Sequence, residues 1–151
     1  DGNKSVVTTS TGALVHLNNA NARLVMKDGA VLKNNRATNG GGVYINQNSS
    51  LTMVGGSISG NKAVSGGGVC IPGNNKFTME GGTIFGNTAS STGGGVCVGL
   101  FGYAGISNFF LNSPATKASI YNNTAASGSP QVHITGSNSI FQVNGTSETS
   151  Y

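Results

Sequence analysis

The chain has 151 residues, a net charge of +4 and only 8% charged side chains, while 25 residues are glycine. This length can bury one hydrophobic core, and the sequence has no run of about 18 apolar residues that would cross a membrane. Basic residues do not alternate with aromatic ones as in nucleic-acid-binding proteins, so we expect neither a transmembrane segment nor a nucleic-acid partner.

A motif with a period of about 26 residues recurs along the chain. Residues 24–45 read LVMKDGAVLKNNRATNGGGVYI, residues 51–71 read LTMVGGSISGNKAVSGGGVCI, and residues 77–98 read FTMEGGTIFGNTASSTGGGVCV. Internal repetition in this range of periods is typical of solenoid proteins. The sequence therefore predicts one domain of about five coils, divided as follows: the domain 1–151, a partial first coil 6–17, clear repeats 24–98, a degenerate coil 109–134 and a terminal partial coil 140–151.

Each repeat contains three short stretches in which apolar and polar residues alternate, as where Leu51 and Met53 flank Thr52. Alternation with period two indicates β-strands with one buried face, and the glycine clusters between the stretches indicate turns. Three strands and three turns in one repeat predict one coil of a parallel β-helix, so the predicted fold class is all-β.

Stacking of coils would place equivalent residues about 4.8 Å apart in ladders. Five inward ladders are predicted: Leu24, Leu51, Phe77, Phe109 and Phe141; Met26, Met53, Met79, Leu111 and Val143; Leu32, Ile58, Ile84 and Ile120; Val15, Val43, Val69, Val96 and Val132; Leu17, Ile45, Ile71, Val98 and Ile134. At one turn, stacked amides are expected to hydrogen-bond along the stack and to tolerate left-handed geometry: Asn35, Asn61, Asn87 and Asn123.

The pattern GG-T-I-x-GN-x-A…GGGV-x-V of residues 81–98 resembles the right-handed β-helix repeats of large bacterial surface proteins. It is similar to the GGA[I/L/V] and FxxN repeats of chlamydial-type polymorphic outer membrane proteins. The similarity extends well over residues 24–98 and poorly over residues 109–134. The resemblance implies a single-stack, right-handed parallel β-helix that is secreted or displayed on a cell surface. It implies no catalytic residue and no cofactor, because the repeated residues are those that the coil itself requires.

The middle residue of the third strand varies between repeats, and it is expected to form one external ladder: His16, Tyr44, Cys70, Cys97 and His133. Thiolates and imidazoles are ligands that zinc and copper prefer, so Cys70, Cys97 and His133 are candidate metal ligands. The expected Cα spacing also suits a disulfide between Cys70 and Cys97. Alternatively, the two thiols are half-buried and fill an ordinary repeat position.

A longer connection, GLFGYAGISN, occupies residues 99–108. Leu100, Phe101 and Tyr103 are expected to be exposed there as ligand contacts, because insertions in solenoids often form the binding face. Alternatively, this loop folds over the degenerate coil and shields its edge. Phe85 and Tyr121 are expected to stack on the outside of the second strand as an aromatic pair that could hold a sugar ring.

Enzymatic and ice-binding functions are disfavoured. Acid–base hydrolysis of polysaccharides needs a pair of carboxylates, and no paired acid is evident among the four acidic residues: Asp1, Asp28, Glu80 and Glu148. An ice-binding face needs a long rank of outward threonines, whereas the rank of Thr52 and Thr78 stops after two repeats.

The sequence therefore predicts a non-enzymatic, adhesin-like segment without a cofactor, located at the cell surface or secreted. It would act as a rigid stalk or as a binding module for surface glycans or proteins. The alternative is a self-assembling scaffold, in which the chain is its own partner and unpaired strands at the coil ends join copies head to tail.

Overall fold

The computed structural model describes residues 12–100, 107–112, 118–134, 140–143 and 146–148. Within these ranges the chain is all-β and contains no helix. The strands are β1 (Val15–Leu17), β2 (Arg23–Met26), β3 (Val31–Lys33), β4 (Val43–Ile45), β5 (Ser50–Met53), β6 (Ser57–Ser59), β7 (Lys62–Ala63), β8 (Val69–Ile71), β9 (Lys76–Met79), β10 (Gly82–Phe85), β11 (Thr88–Ala89), β12 (Val96–Val98), β13 (Asn108–Leu111), β14 (Ala118–Tyr121), β15 (Thr124–Ala125), β16 (Val132–Ile134), β17 (Ile140–Val143) and β18 (Thr146–Glu148).

The strands form four sheets, and neighbours within a sheet come from successive repeats. The first sheet has the order β2-β5-β9-β13-β17-β18, the second β3-β6-β10-β14, the third β7-β11-β15 and the fourth β1-β4-β8-β12-β16. All pairs in the second, third and fourth sheets are parallel. In the first sheet, the successive pairs along β2-β5-β9-β13-β17 are also parallel. Parallel strands in stacked sheets are consistent with the predicted β-solenoid.

The inward ladders have the predicted register. Leu51 pairs with Phe77, Ile58 with Ile84 and Val69 with Val96, and these side chains are fully buried. Phe77 stacks on Phe109 with ring centroids 4.7 Å apart and planes only 13° apart. Each repeat thus buries its apolar face against the repeats on either side, which is why a single repeat could not hold its own core.

Three successive repeats each contain a short strand that the sequence pattern did not predict. The two-residue strands β7, β11 and β15 pair with one another between the asparagine turn and the glycine triplet. Each contributes a single inward alanine, as Ala63 and Ala89 show by their burial. One apolar residue is too short a stretch to show alternation, so this segment looked like a turn.

The asparagine ladder is buried and continuous. The Asn87 backbone N–H donates to Oδ1 of Asn123 over 2.9 Å, and the Asn61 backbone N–H donates in the same way to Oδ1 of Asn87 over 2.9 Å. The ladder ends on Gln131, whose Oε1 accepts from Nδ2 of Asn123 at 2.8 Å. The expected bonds along the stack are therefore confirmed. The left-handed residues, however, are the ones preceding the ladder: Asn34, Gly60, Gly86 and Asn122.

The C-terminal end of the first sheet contains two strands, of which β17 pairs parallel with β13 and continues the predicted ladders. Strand β18 turns back and pairs antiparallel with β17, joining Phe141 to Glu148 and Val143 to Thr146 in register. This places a strand of the same chain on the edge at which another parallel strand would have to add. At the other end, the predicted first coil is described only from residue 12, and β1 lies within it.

Candidate functional site

The ladder of the fourth sheet has the predicted register, since Tyr44 pairs with Cys70, Cys70 with Cys97 and Cys97 with His133. The ladder lies on the outer side of the sheet as predicted, but its middle is covered rather than exposed. Cys70 and Cys97 have no solvent exposure, and together with Tyr44 they form a small apolar cluster against which Leu100 packs. A second, smaller core therefore lies on the outer side of the fourth sheet.

The glycine triplets explain this burial. Gly66 and Gly93 have positive φ angles of 64° and 65°, which glycine adopts without steric cost. A Cβ atom on Gly66 would lie 2.7 Å from Cβ of Cys70, and one on Gly93 would lie 2.9 Å from Cβ of Cys97. The chain before each strand thus folds back directly onto the residue in its middle, and only a bare backbone fits there.

Both cysteines are free thiols in the structure. Hydrogen bonding with Cys97, together with burial, raises the pKa of the Cys70 thiol well above its ordinary value. The same hydrogen bond, against the effect of burial and helped by Thr92, lowers the pKa of Cys97. Among the described residues, no group of three or more His, Cys, Asp or Glu side chains is arranged to hold a metal ion. His133 is therefore next to Cys97 in register without completing such a group.

The predicted aromatic pair is present. Phe85 and Tyr121 stack with ring centroids 5.4 Å apart and planes 7° apart, and Tyr121 is 43% exposed. Of the three ligand contacts predicted in the 99–108 connection, one lies among the described residues. Leu100 is half-buried against the cysteine cluster rather than fully exposed, and Phe101 and Tyr103 lie outside the described residues.

A polar groove of about 660 Å³ runs across the outer face of the first sheet. Its floor follows one ladder, in which Arg23, Ser50, Lys76 and Asn108 pair in register, and Thr52 and Thr78 lie beside it. Its wall is formed by the turns that precede the strands, and these contribute further amides and a hydroxyl: Asn21, Asn48, Ser49, Asn74 and Asn75.

Hydrogen bonds within and between repeats hold the wall in place. Asn75 accepts a bond from the Ser49 backbone N–H at 2.9 Å through its Oδ1, and its amide donates to the Pro72 carbonyl. The Ser107 hydroxyl donates to the Gly73 carbonyl at 2.6 Å. These anchoring groups are buried, so bonds within the protein fix the shape of the wall.

The groove is positively charged. Arg23 and Lys76 are both exposed, and none of the lining residues is acidic. Nζ of Lys76 lies 5.0 Å from the centroid of the Phe110 ring, a cation–π contact that keeps this ammonium above the sheet. Sequence reasoning missed this site. The available signal was the alignment of a basic residue at the same repeat position in Arg23 and Lys76.

Comparison of the chain with protein-family models, with curated proteins and with solved structures found no match. In the part of the chain that the structure describes, no helix has the length and apolar character needed to cross a membrane.

Proposed function

We propose that this chain is a non-enzymatic glycan-binding segment of adhesin type, secreted or displayed at a cell surface, built as a right-handed single-stack β-helix of about five coils. The polar groove on the first sheet carries this proposal. Its amides and hydroxyls offer donors and acceptors in the pattern that sugar hydroxyl groups require, and their anchored backbone lowers the entropy lost on binding.

The shape of the groove favours a polymer over a small ligand. Its floor extends over four successive repeats, so it is about 14 Å long at the usual strand spacing. Each repeat adds one polar rung, and the length of a pyranose ring in an extended chain is close to that spacing. A linear glycan lying along the stack would therefore place about one sugar at each rung.

A passive role is favoured over catalysis by the position of the acidic residues. Glycosidases place two carboxyl groups on either side of the bond that they cleave. Of the described acidic residues, Asp28 lies in a turn against Gly55, Glu80 follows strand β9 and Glu148 ends strand β18. Neither Asp28 nor Glu80 lines the groove. The groove residues can bind and orient a glycan, but they offer no acid–base pair.

Head-to-tail assembly into a scaffold is the second candidate. The antiparallel strand β18 argues against it, because it occupies the edge of β17 in the first sheet. Copies could then continue the parallel stack only through the edges of the remaining sheets. We therefore rank the scaffold below glycan binding, and a rise of molar mass with concentration in light scattering would reverse that order.

Filling the groove tests the proposal. Ser50→Trp places a large ring on the outward floor of the groove, and Ser57→Trp places the same ring on the outward face of the second sheet as a control. Binding to a panel of immobilised glycans should be lost in the first variant and kept in the second. Retained binding by Ser50→Trp, with both variants folded by circular dichroism, would show that the groove is not the binding site.

A further inference from the structure

Building on the proposed function, we infer that the groove selects acidic polysaccharides and holds two acidic groups of one chain at Arg23 and Lys76. These residues belong to one ladder, with Ser50 between them. Two rungs separate them, which is about 9.6 Å at the usual strand spacing. This separation suits a polymer that carries a carboxylate or a sulfate on at least every second sugar.

The two cations differ in what they can recognise. The Arg23 guanidinium presents a planar set of donors that can bind both oxygens of a carboxylate or sulfate. Lys76 is a point charge, and its contact with Phe110 positions it above the floor before any ligand arrives. The exposed amides of the wall, Asn21 and Asn48 among them, lie beside this line of charge and can bond the intervening hydroxyl groups.

Another pair of cations provides a matched comparison elsewhere on the molecule. Arg36 and Lys62 are joined by a parallel backbone β-bridge, so they lie one rung apart. Together with Ala63 and Val64 they line a smaller cleft of about 160 Å³. This cleft lacks the row of amides and is partly apolar. It has the same number of positive charges as the groove but not the spacing or the hydrogen-bonding wall.

The experiment compares the wild-type chain with two double variants of equal net charge, Arg23→Gln/Lys76→Gln and Arg36→Gln/Lys62→Gln. The probes are oligogalacturonate and dextran sulfate, each paired with its uncharged counterpart, methyl-esterified oligogalacturonate and dextran. Affinity is measured by calorimetry at two salt concentrations, and circular dichroism confirms that each variant folds.

We expect the wild type to bind at least one acidic probe more tightly than its neutral counterpart. The groove variant should lose about tenfold in affinity for that probe, the scale set by two exposed ion pairs, and the control variant should lose less than about twofold. Added salt should weaken binding of the wild type more than binding of the groove variant.

The other outcomes separate the two proposals. Equal losses in both double variants would mean that net charge alone attracts the polymer, and this would overturn the inference. Tight binding of the neutral probes, lost in Ser50→Trp, would keep the proposed function and refute the acidic specificity. If neither these probes nor the glycan panel bind to the wild type, the proposed function itself fails.

Discussion

Replacing Asn87 with alanine is the sharpest test of how the repeats are held together. The Asn87 side chain is fully buried, and its Nδ2 donates to the Ile58 carbonyl at 2.9 Å and to Oδ1 of Asn123 at 3.0 Å. Its Oδ1 accepts from the backbone N–H of Asn61 at 2.9 Å and from Nδ2 of Asn61 at 3.1 Å. Alanine removes all four bonds at once.

The expected loss can be worked out from these contacts. The buried Asn61 N–H would have no acceptor, which costs about 1–3 kcal/mol. The two bonds that Asn87 donates contribute about 1 kcal/mol each to net stability. We therefore expect Asn87→Ala to lower the free energy of unfolding by about 3–5 kcal/mol, a large share of the total for a domain of this size.

Urea unfolding followed by circular dichroism measures this change, with the slope against urea compared between variants to check that the same surface unfolds. Asn112→Ala is the control, because Asn112 is exposed at the end of β13, and it should change stability by less than about 0.5 kcal/mol. A loss below about 1 kcal/mol for Asn87→Ala would refute the argument, since the ladder would then be worth no more than ordinary surface amides.

Three further changes test other parts of the structure. Phe77→Ala removes a fully buried ring from the aromatic stack and should cost about 3–5 kcal/mol in urea unfolding; a loss under 1 kcal/mol would contradict the buried stack. Gly66 and Gly86 have similar φ angles of 64° and 62°, but a Cβ on Gly66 would lie 2.4 Å from a backbone carbonyl oxygen, whereas the nearest atom to one on Gly86 is 4.0 Å away. Gly86→Ala should cost only about 1–2 kcal/mol, because alanine is strained in a left-handed backbone. Gly66→Ala should lower the melting temperature clearly more, because its Cβ would also clash. Equal effects would count against the close packing of the triplet. Leu100→Ala should speed labelling of the Cys97 thiol by a soluble disulfide reagent at unchanged global stability, and an unchanged rate would show that Leu100 does not cover it.

The strand register could be predicted from the sequence because it depends only on counting. Leu51 and Phe77 occupy the same position of repeats with the same spacing, and their pairing follows from stacking those repeats. Phe85 and Tyr121 pair for the same reason, although the fourth repeat is degenerate. Side-chain alternation then indicates which residues face the core.

Burial of the cysteine ladder could not be predicted in that way. Alternation shows that Cys70 points away from the main core, but not what lies above it. The covering atoms are the backbone of the glycine triplet at Gly66 and the side chain of Leu100, both outside the alternating stretch. The glycine four residues before the cysteine indicates a turn in the sequence. The direction in which that turn leads the chain depends on its positive φ angle, which only the folded structure shows.

The groove could not be predicted from the sequence for a related reason. Its floor is a ladder that includes Arg23 and Lys76, and this could have been read from the aligned repeats. Its wall comes from turns with different sequences, in which Gln47 and Asn48 adopt left-handed conformations. The height and rigidity of that wall depend on bonds between repeats, such as that from Ser49 to Asn75, and no single repeat contains them.

The asparagine ladder also has a direction, with a consequence for how the chain is made. The backbone N–H of Asn35 donates to Oδ1 of Asn61, which lies 26 residues later. When a repeat leaves the ribosome, this N–H has no protein acceptor until the following repeat has been translated. We therefore expect ordering of the nascent chain to trail synthesis by one repeat. The last rung escapes this dependence, because the N–H of Asn123 finds Oε1 of Gln131 only eight residues away. Gln131 thus allows the final asparagine turn to close as soon as its own repeat emerges.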